Sequence, residues 1–513
     1  MTKLTRNLIF GDNLHAKIAS GFLKVYNVAK ESYGPNAGNA LIEYPYGDPE
    51  ISRDGVNNVR KIKLEDGVEN ATAAIATQAS KRSDVSVGDG TTASVILAYH
   101  LYTAGRKLVA AGNNQMVIAK QITEAADNAV SEIDLLKKPL GKDMLNKVAM
   151  TSAGDEAIGE LVADTISTIG ADGGVTIEDF AGRGIYNEIV EGFYFRKGLI
   201  SAYLAKDPAN LESKHFNVPI IVLDKNLSDQ GEASEILNTV AEKFKEVVIV
   251  GSVTADALGY VVQKRLNKEN PMIISVVDPP YESRNFFLED LALLTGATVI
   301  TEGLNTSDFD LEMVGMAAKV VITTQSTTLL GSDGEQDKVN ARVAELQKQL
   351  EEATHPTDIE IIRQRLSWLT GKVAIIRVGG ASEIEQKEVK LRVIDAVAAS
   401  QAALKDGIVP GGGVTLARLD VGFKEAFEAP FKQLCSNGGY NAEKLLAQVQ
   451  DAPANYGFNL RDVGDKPVDL IKAGVVDPAL VVKEVITNAA SVAAKLLTTS
   501  SGIVLVNREE KMD

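Results

Sequence analysis

The sequence predicts a multidomain α and α/β protein, in which a helical domain assembled from the two ends of the chain carries an α/β domain inserted between them. Three observations lead to this. At 513 residues the chain exceeds the roughly 250–300 at which a single hydrophobic core stops growing. Both ends read as helical. The middle alternates short β-branched runs with amphipathic stretches, as strands that cross over through helices do.

Taken in order, residues 91–108 are apolar on nearly every side, with Val95, Ile96, Leu97, Tyr99 and Leu101 leaving no polar stripe. A helix there must be buried all round. Residues 481–497 carry few charges and read the same way. Between 219 and 324 come Ile220-Ile221-Val222-Leu223, Val247-Val248-Ile249-Val250 and Ile273-Ile274-Ser275-Val276-Val277, whose β-branched residues suit pleated strands. Further on, Val339, Val343, Leu346 and Leu350 recur at spacings of four, three and four, and Ile359, Ile362, Leu366 and Leu369 answer them beyond His355-Pro356. That spacing predicts an antiparallel helical hairpin.

Composition narrows the function. Lys plus Arg total 53 against 69 Asp plus Glu, a formal charge of -16, which argues against a surface for duplex nucleic acid. Met1-Thr2-Lys3-Leu4-Thr5-Arg6 is not followed by an apolar signal segment, and no apolar run approaches the roughly 18 residues of a membrane span. A cytoplasmic location is expected. The single cysteine, Cys435, and the scattered His15, His100, His215 and His355 have no metal-ligand spacing and suit core or surface roles.

The sharpest local signal is Gly88-Asp89-Gly90-Thr91-Thr92, directly ahead of the buried helix. Glycines let backbone approach a ligand, threonine hydroxyls and the free amides of a helix start bind phosphate oxygens, and an aspartate can hold Mg²⁺. The same five residues also fit a glycine turn with Thr91 as N-cap. No Gly-x4-Gly-Lys-Ser/Thr occurs, so a nucleotide here binds without a P-loop. Tyr33-Gly34-Pro35, Arg53-Asp54-Gly55 and Pro410-Gly411-Gly412-Gly413 have a similar character, although each alone also reads as a turn. Asp395 stands in the apolar helical stretch Val393-Ile394-Asp395-Ala396-Val397. An unpaired buried carboxylate costs several kcal/mol, so Asp395 faces either solvent or a site.

In this order the segments resemble the group I chaperonins, the GroEL family, along nearly the whole chain. The further pieces are Asn7-Leu8-Ile9-Phe10-Gly11 as an opening strand, a long helix to Ser32-Tyr33-Gly34-Pro35, Val109-Ala110-Ala111-Gly112-Asn113, Val190-Glu191-Gly192, Arg342-Val343-Ala344 and Val476-Asp477-Pro478. The resemblance implies a GroEL-like fold of three domains: a helical equatorial domain at 1–136 and 406–513, an intermediate hinge at 137–190 and 374–405, and an α/β apical domain at 191–373. It implies an ATPase that encloses non-native polypeptides, with ATP and Mg²⁺ as cofactors and K⁺ as a further candidate. By this resemblance Ser32, Tyr33, Gly34, Pro35, Gly88, Asp89, Gly90, Thr91 and Thr92 surround the phosphates. Asp89 holds Mg²⁺, Arg53 reaches the phosphates, and Gly412, Asn459 and Asp477 hold ribose and adenine. Asp395 activates water with help from Asp54.

The apical apolar surface for unfolded clients is expected at Leu199, Tyr203, Leu204, Ile236, Leu237, Val240, Leu258, Val261 and Val262, each of which also reads as ordinary core. The partners implied are those polypeptides, six further copies in a ring of seven, a second stacked ring, and a co-chaperonin lid as a candidate, with neither nucleic acid nor membrane. Residues 7–11 and 503–507 are expected to pair across a neighbour. Departures from the family pattern are Asn36-Ala37-Gly38 after the Gly-Pro turn, Ala93 in place of a third threonine, Pro279-Pro280-Tyr281-Glu282, and a C-terminus without a Gly-Gly-Met tail. They suggest a specialised or phage-borne member. A small-molecule transferase using the Gly-Asp-Gly-Thr-Thr loop, and a passive ring without catalysis, stay open as alternatives.

Overall fold

The computed structural model describes residues 5–44, 49–52, 55–141, 144–171, 173–267, 272–280, 284–332, 334–352 and 355–506. The chain separates into two compact units, Met1–Ser167 with Gly380–Asp513, and Thr168–Gly379. The second is therefore an insertion into the first.

In the discontinuous unit, the Thr91–Ala110 helix is enclosed by Gly11–Glu31, Gly67–Val87, Gln115–Leu136 and Ala479–Leu497. Its Val95, Ile96, Leu97, Ala98 and Leu101 are exposed by 1% or less, because a helix apolar on every face finds no favourable contact with water. Ala479–Leu497, from the other end of the chain, completes the same core. The Met144–Ala153 helix lies along the Glu383–Asp406 helix. The terminal strands do not wait for a neighbour: Thr5–Phe10 and Ser501–Val506 pair with each other, antiparallel, from Thr5↔Val506 to Phe10↔Ser501.

The inserted unit is an α/β structure. Its sheet runs in the order Gly174–Asp179, Lys372–Val378, Ile185–Phe195, Thr327–Ser332, Gly315–Ile322, Ser213–Leu223, Glu246–Val250 and Ile273–Val277, with Val299–Ile300 also on Ser213–Leu223. The last three strands of that order are parallel, and the helices Gln230–Ala241 and Ala255–Leu266 make their crossovers. The expected hairpin is present as Gln336–Glu352 and Pro356–Thr370. Arg365 of the second helix, 5% exposed, clamps the fully buried Asp290 of Arg284–Thr295 with two hydrogen bonds of 2.8 Å.

Five of the expected client-binding residues belong to the core of this unit. Leu204, Ile236, Leu237, Val240 and Val261 are exposed by 1% or less and pack with Ile221, Ile249 and Ile274 of the sheet. The reason is helical geometry. Ala233, Ile236, Leu237 and Val240 form one stripe at spacings of three and four, and a single apolar stripe on a helix over a sheet turns inward. The outer positions Ser234, Glu235, Asn238 and Thr239 are polar.

Candidate functional site

A cleft of ≈ 1670 Å³ opens within the discontinuous unit. Its lining includes Ser32, Tyr33, Gly34, Pro35, Asp89, Gly90, Thr91, Thr92, Asp395, Gly412, Asn459 and Asp477, residues from six separate stretches of sequence. Gly88 falls one position outside the lining, and Arg53 and Asp54 lie outside the described residues.

Each segment is held there by local structure. Gly90 has φ +72°, and a Cβ on it would sit 2.6 Å from Val485 and 2.8 Å from Val481, so only glycine fits. It, and not Thr91, is the N-cap, and it offers no side-chain acceptor. The leading amides of a 20-residue helix are thus left without a capping side chain where Gly90, Thr91 and Thr92 line the cleft, and such amides carry partial positive charge. The 33–35 turn is fixed from behind by Asn437, whose Nδ2 donates to the carbonyls of Lys30 (2.7 Å) and Tyr33 (2.8 Å). Asn36, one of the departures from the family pattern, donates to Leu460 O at 2.9 Å and so ties this turn to the loop of Asn459. Strand Ile408–Pro410 pairs with Val476–Pro478. A Cβ on Gly411 would come within 2.9 Å of Asp477 Oδ1, so the glycine run lets this carboxylate lie against backbone.

Two carboxyls in the cleft are electrostatically strained. Asp89 accepts hydrogen bonds from the Gly90 amide (2.5 Å) and Ser152 Oγ (3.4 Å). It keeps some exposure to the cleft, yet burial by the surrounding protein pushes its pKa above the usual carboxylate range in spite of those bonds. Asp477 is pushed up to about 7, first by burial and then by the charge of Asp89. Burial followed by the same two carboxylates also drives the Tyr33 phenol upward. Clustered hard oxygens of this kind, Asp89 with the hydroxyls of Thr91 and Thr92, suit a hydrated divalent cation such as Mg²⁺. Among the described residues no group of three or more His, Cys, Asp or Glu is arranged to hold a metal by itself, so such a cation would need ligand oxygens as well.

Asp395 is half-buried and lines the cleft together with Ile384, Lys387, Glu388, Leu391, Arg392 and Ala399 of the same helix. These lie on one face at spacings of three and four. Sequence reasoning found Asp395 and missed Lys387 and Arg392, although stepping back along the helix by its own period reaches both. It also missed Lys147, which donates to Lys472 O at 3.1 Å, and Arg461, both in the lining. In the inserted unit, Tyr203 is 71% exposed, and Leu199, Leu258 and Val262 are half-buried. Leu266, 61% exposed, extends the Leu258–Val262 stripe by one more step of four and was also missed.

A second polar constellation has the connectivity of a hydrolytic triad. His215 Nε2 lies 2.9 Å from Ser275 Oγ, and its Nδ1 lies 2.8 Å from Glu246 Oε2. Both His215 and Ser275 are fully buried, so no substrate reaches the hydroxyl and the trio serves to satisfy buried polar groups.

The profile of the TCP-1/cpn60 chaperonin family matches residues 25–422 and 421–506. Among solved structures, the chaperonin gp146 from the bacteriophage EL 2 (Pseudomonas aeruginosa), in presence of ATP-BeFx, superposes with a TM-score of 0.72 at 19% identity, covering 98% of this chain and 99% of that one. A second crystal form of gp146 gives 0.61 at the same identity and coverage. No helix among the described residues is long and apolar enough to cross a membrane. A family match over nearly the whole chain, the fold in common with gp146, and an inserted α/β unit together make this chain a member of the TCP-1/cpn60 chaperonin family.

Proposed function

We propose that the chain is a divergent, phage-type subunit of an ATP-driven group I chaperonin, and that the cleft binds and hydrolyses Mg²⁺-ATP. The observation that carries this reading is the presence of Asp395, Asp89, Thr91, Thr92 and Asp477 in one cleft, from segments far apart in the chain. The leading amides of Thr91–Ala110 and the hydroxyls of Thr91 and Thr92 receive the phosphate oxygens. Asp89 is the residue to hold Mg²⁺, which when bound neutralises phosphate charge. Gly412, Asn459 and Asp477 take the ribose and base. Asp395 accepts a proton from water as the water oxygen attacks the γ-phosphorus, and the β–γ bridging bond breaks with its electron pair leaving on ADP. Asp54 assists.

Residues 137–190 and 374–405 act as a hinge between an equatorial domain, 1–136 with 406–513, and an apical domain, 191–373. A carboxylate on the hinge couples hydrolysis to closure. Client capture falls to Tyr203, Leu258, Val262 and Leu266, an apolar surface with no counterpart in an ordinary monomer's needs. Ring assembly is supported by two small sheets with exposed apolar side chains: Leu8, Phe10, Ile503 and Leu505 on one, and Leu41 and Ile51 on the other. Unsatisfied strand edges of this kind join head to tail, and such contacts close into rings. Seven members, paired rings and a cytoplasmic location complete the reading, with a co-chaperonin lid as a candidate. The test is electron microscopy of the purified protein beside an aggregation assay. Rings that release a captured client on adding Mg²⁺-ATP are expected, and monomers at micromolar concentration with and without ATP would overturn the proposal.

A further inference from the structure

A second cavity, of ≈ 340 Å³, lies between the Gly11–Glu31 and Thr91–Ala110 helices and shares no lining residue with the nucleotide cleft. Asp12, His15, Ala16 and Ala19 line it from one helix, and Tyr99, Tyr102, Thr103 and Arg106 from the other. Both sets have the spacing 0, 3, 4, 7, so the two helices turn facing stripes toward each other. Ala16 and Ala19 are exposed, and their short side chains leave the space open to solvent.

The polar groups around this space have unused capacity. Tyr102 is 2% exposed, and its hydroxyl has no hydrogen-bond partner. His15 Nδ1 is likewise buried and unpartnered. Arg106 makes no ion pair or hydrogen bond among the described residues, yet it is near enough to His15 to add to burial in holding that imidazole below the usual histidine pKa, against the opposing charge of Asp12. Buried polar atoms are nearly always satisfied. Here a hydroxyl, a ring nitrogen and a guanidinium border one cavity far larger than the roughly 30 Å³ of a water molecule.

We infer that this cavity binds a small molecule through an oxyanion, a carboxylate or a phosphate group. Arg106 supplies the charge, and the Tyr102 hydroxyl and neutral His15 ring supply hydrogen bonds. Asp12, exposed at the rim, selects a ligand whose far end is an ammonium or hydroxyl donor, and the Tyr99 ring forms a wall.

Two measurements on the full chain test this. Crystals soaked in selenate, an oxyanion with an anomalous signal, should show a peak between Arg106 and Tyr102. In solution with saturating Mg²⁺-ADP, inorganic phosphate or glycine should raise Tm over matched chloride by roughly 1–2 °C at tenfold excess over Kd. Phosphate and glycine distinguish the two head groups. That rise should vanish in Arg106→Gln and in Tyr102→Phe. The second variant keeps the fold even if the first does not, because it removes only an unsatisfied hydroxyl. Ordered water alone at the site, no rise with either compound, or the same rise in Tyr102→Phe overturns the inference.

Discussion

Asp395→Ala removes a carboxylate from the cleft-facing stripe of the Glu383–Asp406 helix and leaves the phosphate cradle on Gly90, Thr91 and Thr92 untouched. The fold should tolerate it: the residue is half-buried within a 24-residue helix, and alanine gains about 0.5 kcal/mol of helix propensity over aspartate. Chemistry should not. Losing a positioned acid-base group costs at least about 10²-fold, or roughly 2.7 kcal/mol of transition-state stabilisation. Affinity for Mg²⁺-ATP should stay close to that of the unaltered chain, because the groups proposed to bind phosphate and metal lie on other segments. The variant should therefore accumulate bound, unhydrolysed ATP. Asp89→Ala should do the opposite, weakening Mg²⁺-ATP itself. Acid-quenched single turnover beside equilibrium binding separates the two. Normal turnover in Asp395→Ala would refute the mechanism, and a fall in turnover matched by an equal fall in affinity would reassign Asp395 from chemistry to binding.

Four further outcomes follow from the inserted unit. Leu237→Glu, placing a carboxylate in the core, should cost more than about 3 kcal/mol and leave that unit unfolded by circular dichroism. Leu258→Glu should leave it folded, with client retention in a light-scattering assay reduced. Asp290→Ala strands the buried guanidinium of Arg365 and should lower stability in urea by about 3–5 kcal/mol. Burial holds the His215 pKa low, against the Glu246 hydrogen bond that raises it, so the unfolded chain takes up the proton first. Stability is then full above about pH 6.5 and declines on acidification. Glu246 itself is raised by burial but lowered further by hydrogen bonds from Lys206 and His215, and it ends below the usual range, which extends the decline below about pH 4.5. The protection factors of the Ser213–Leu223 strand against hydrogen exchange should fall between pH 7 and 5.5, and His215→Gln should flatten that dependence. An unchanged profile in the variant would assign the acid sensitivity to other groups.

Elements whose pattern comes from burial alone were legible in the sequence. Residues 273–277 read as a strand and form Ile273–Val277, and the run from 91 extends only two residues past the expected 108, to Ala110. Both are apolar on faces that no other structure would bury, so propensity and packing agree. The hairpin was legible for the same reason, its two apolar stripes having only each other and the neighbouring helix to cover. Pairing was less so. Residues 7–11 and 503–507 read as strands, but whether they meet within a chain or across a neighbour depends on which ends the fold brings together, and one strand's sequence carries no such information.

The cleft divides in the same way. Its glycines, threonines and Asp395 stood out because each breaks a local pattern: a turn before a helix, a charge inside an apolar stretch. Lys147, Lys387, Arg392 and Arg461 break nothing, since a lysine or arginine on a helix or loop is what a solvated surface carries, and only the fold puts them in the lining. The apical residues show the converse difficulty. An apolar stripe looks the same whether it covers a sheet or waits for a client, and the two are separated by counting stripes against faces. The Gln230–Ala241 helix has one apolar stripe, and the sheet takes it. Ala255–Leu266 has two: Ala257 and Val261 against the sheet, and Leu258, Val262 and Leu266 beside them. Only the second helix has apolar surface to spare, which narrows the proposed capture surface to it and to the neighbouring Tyr203.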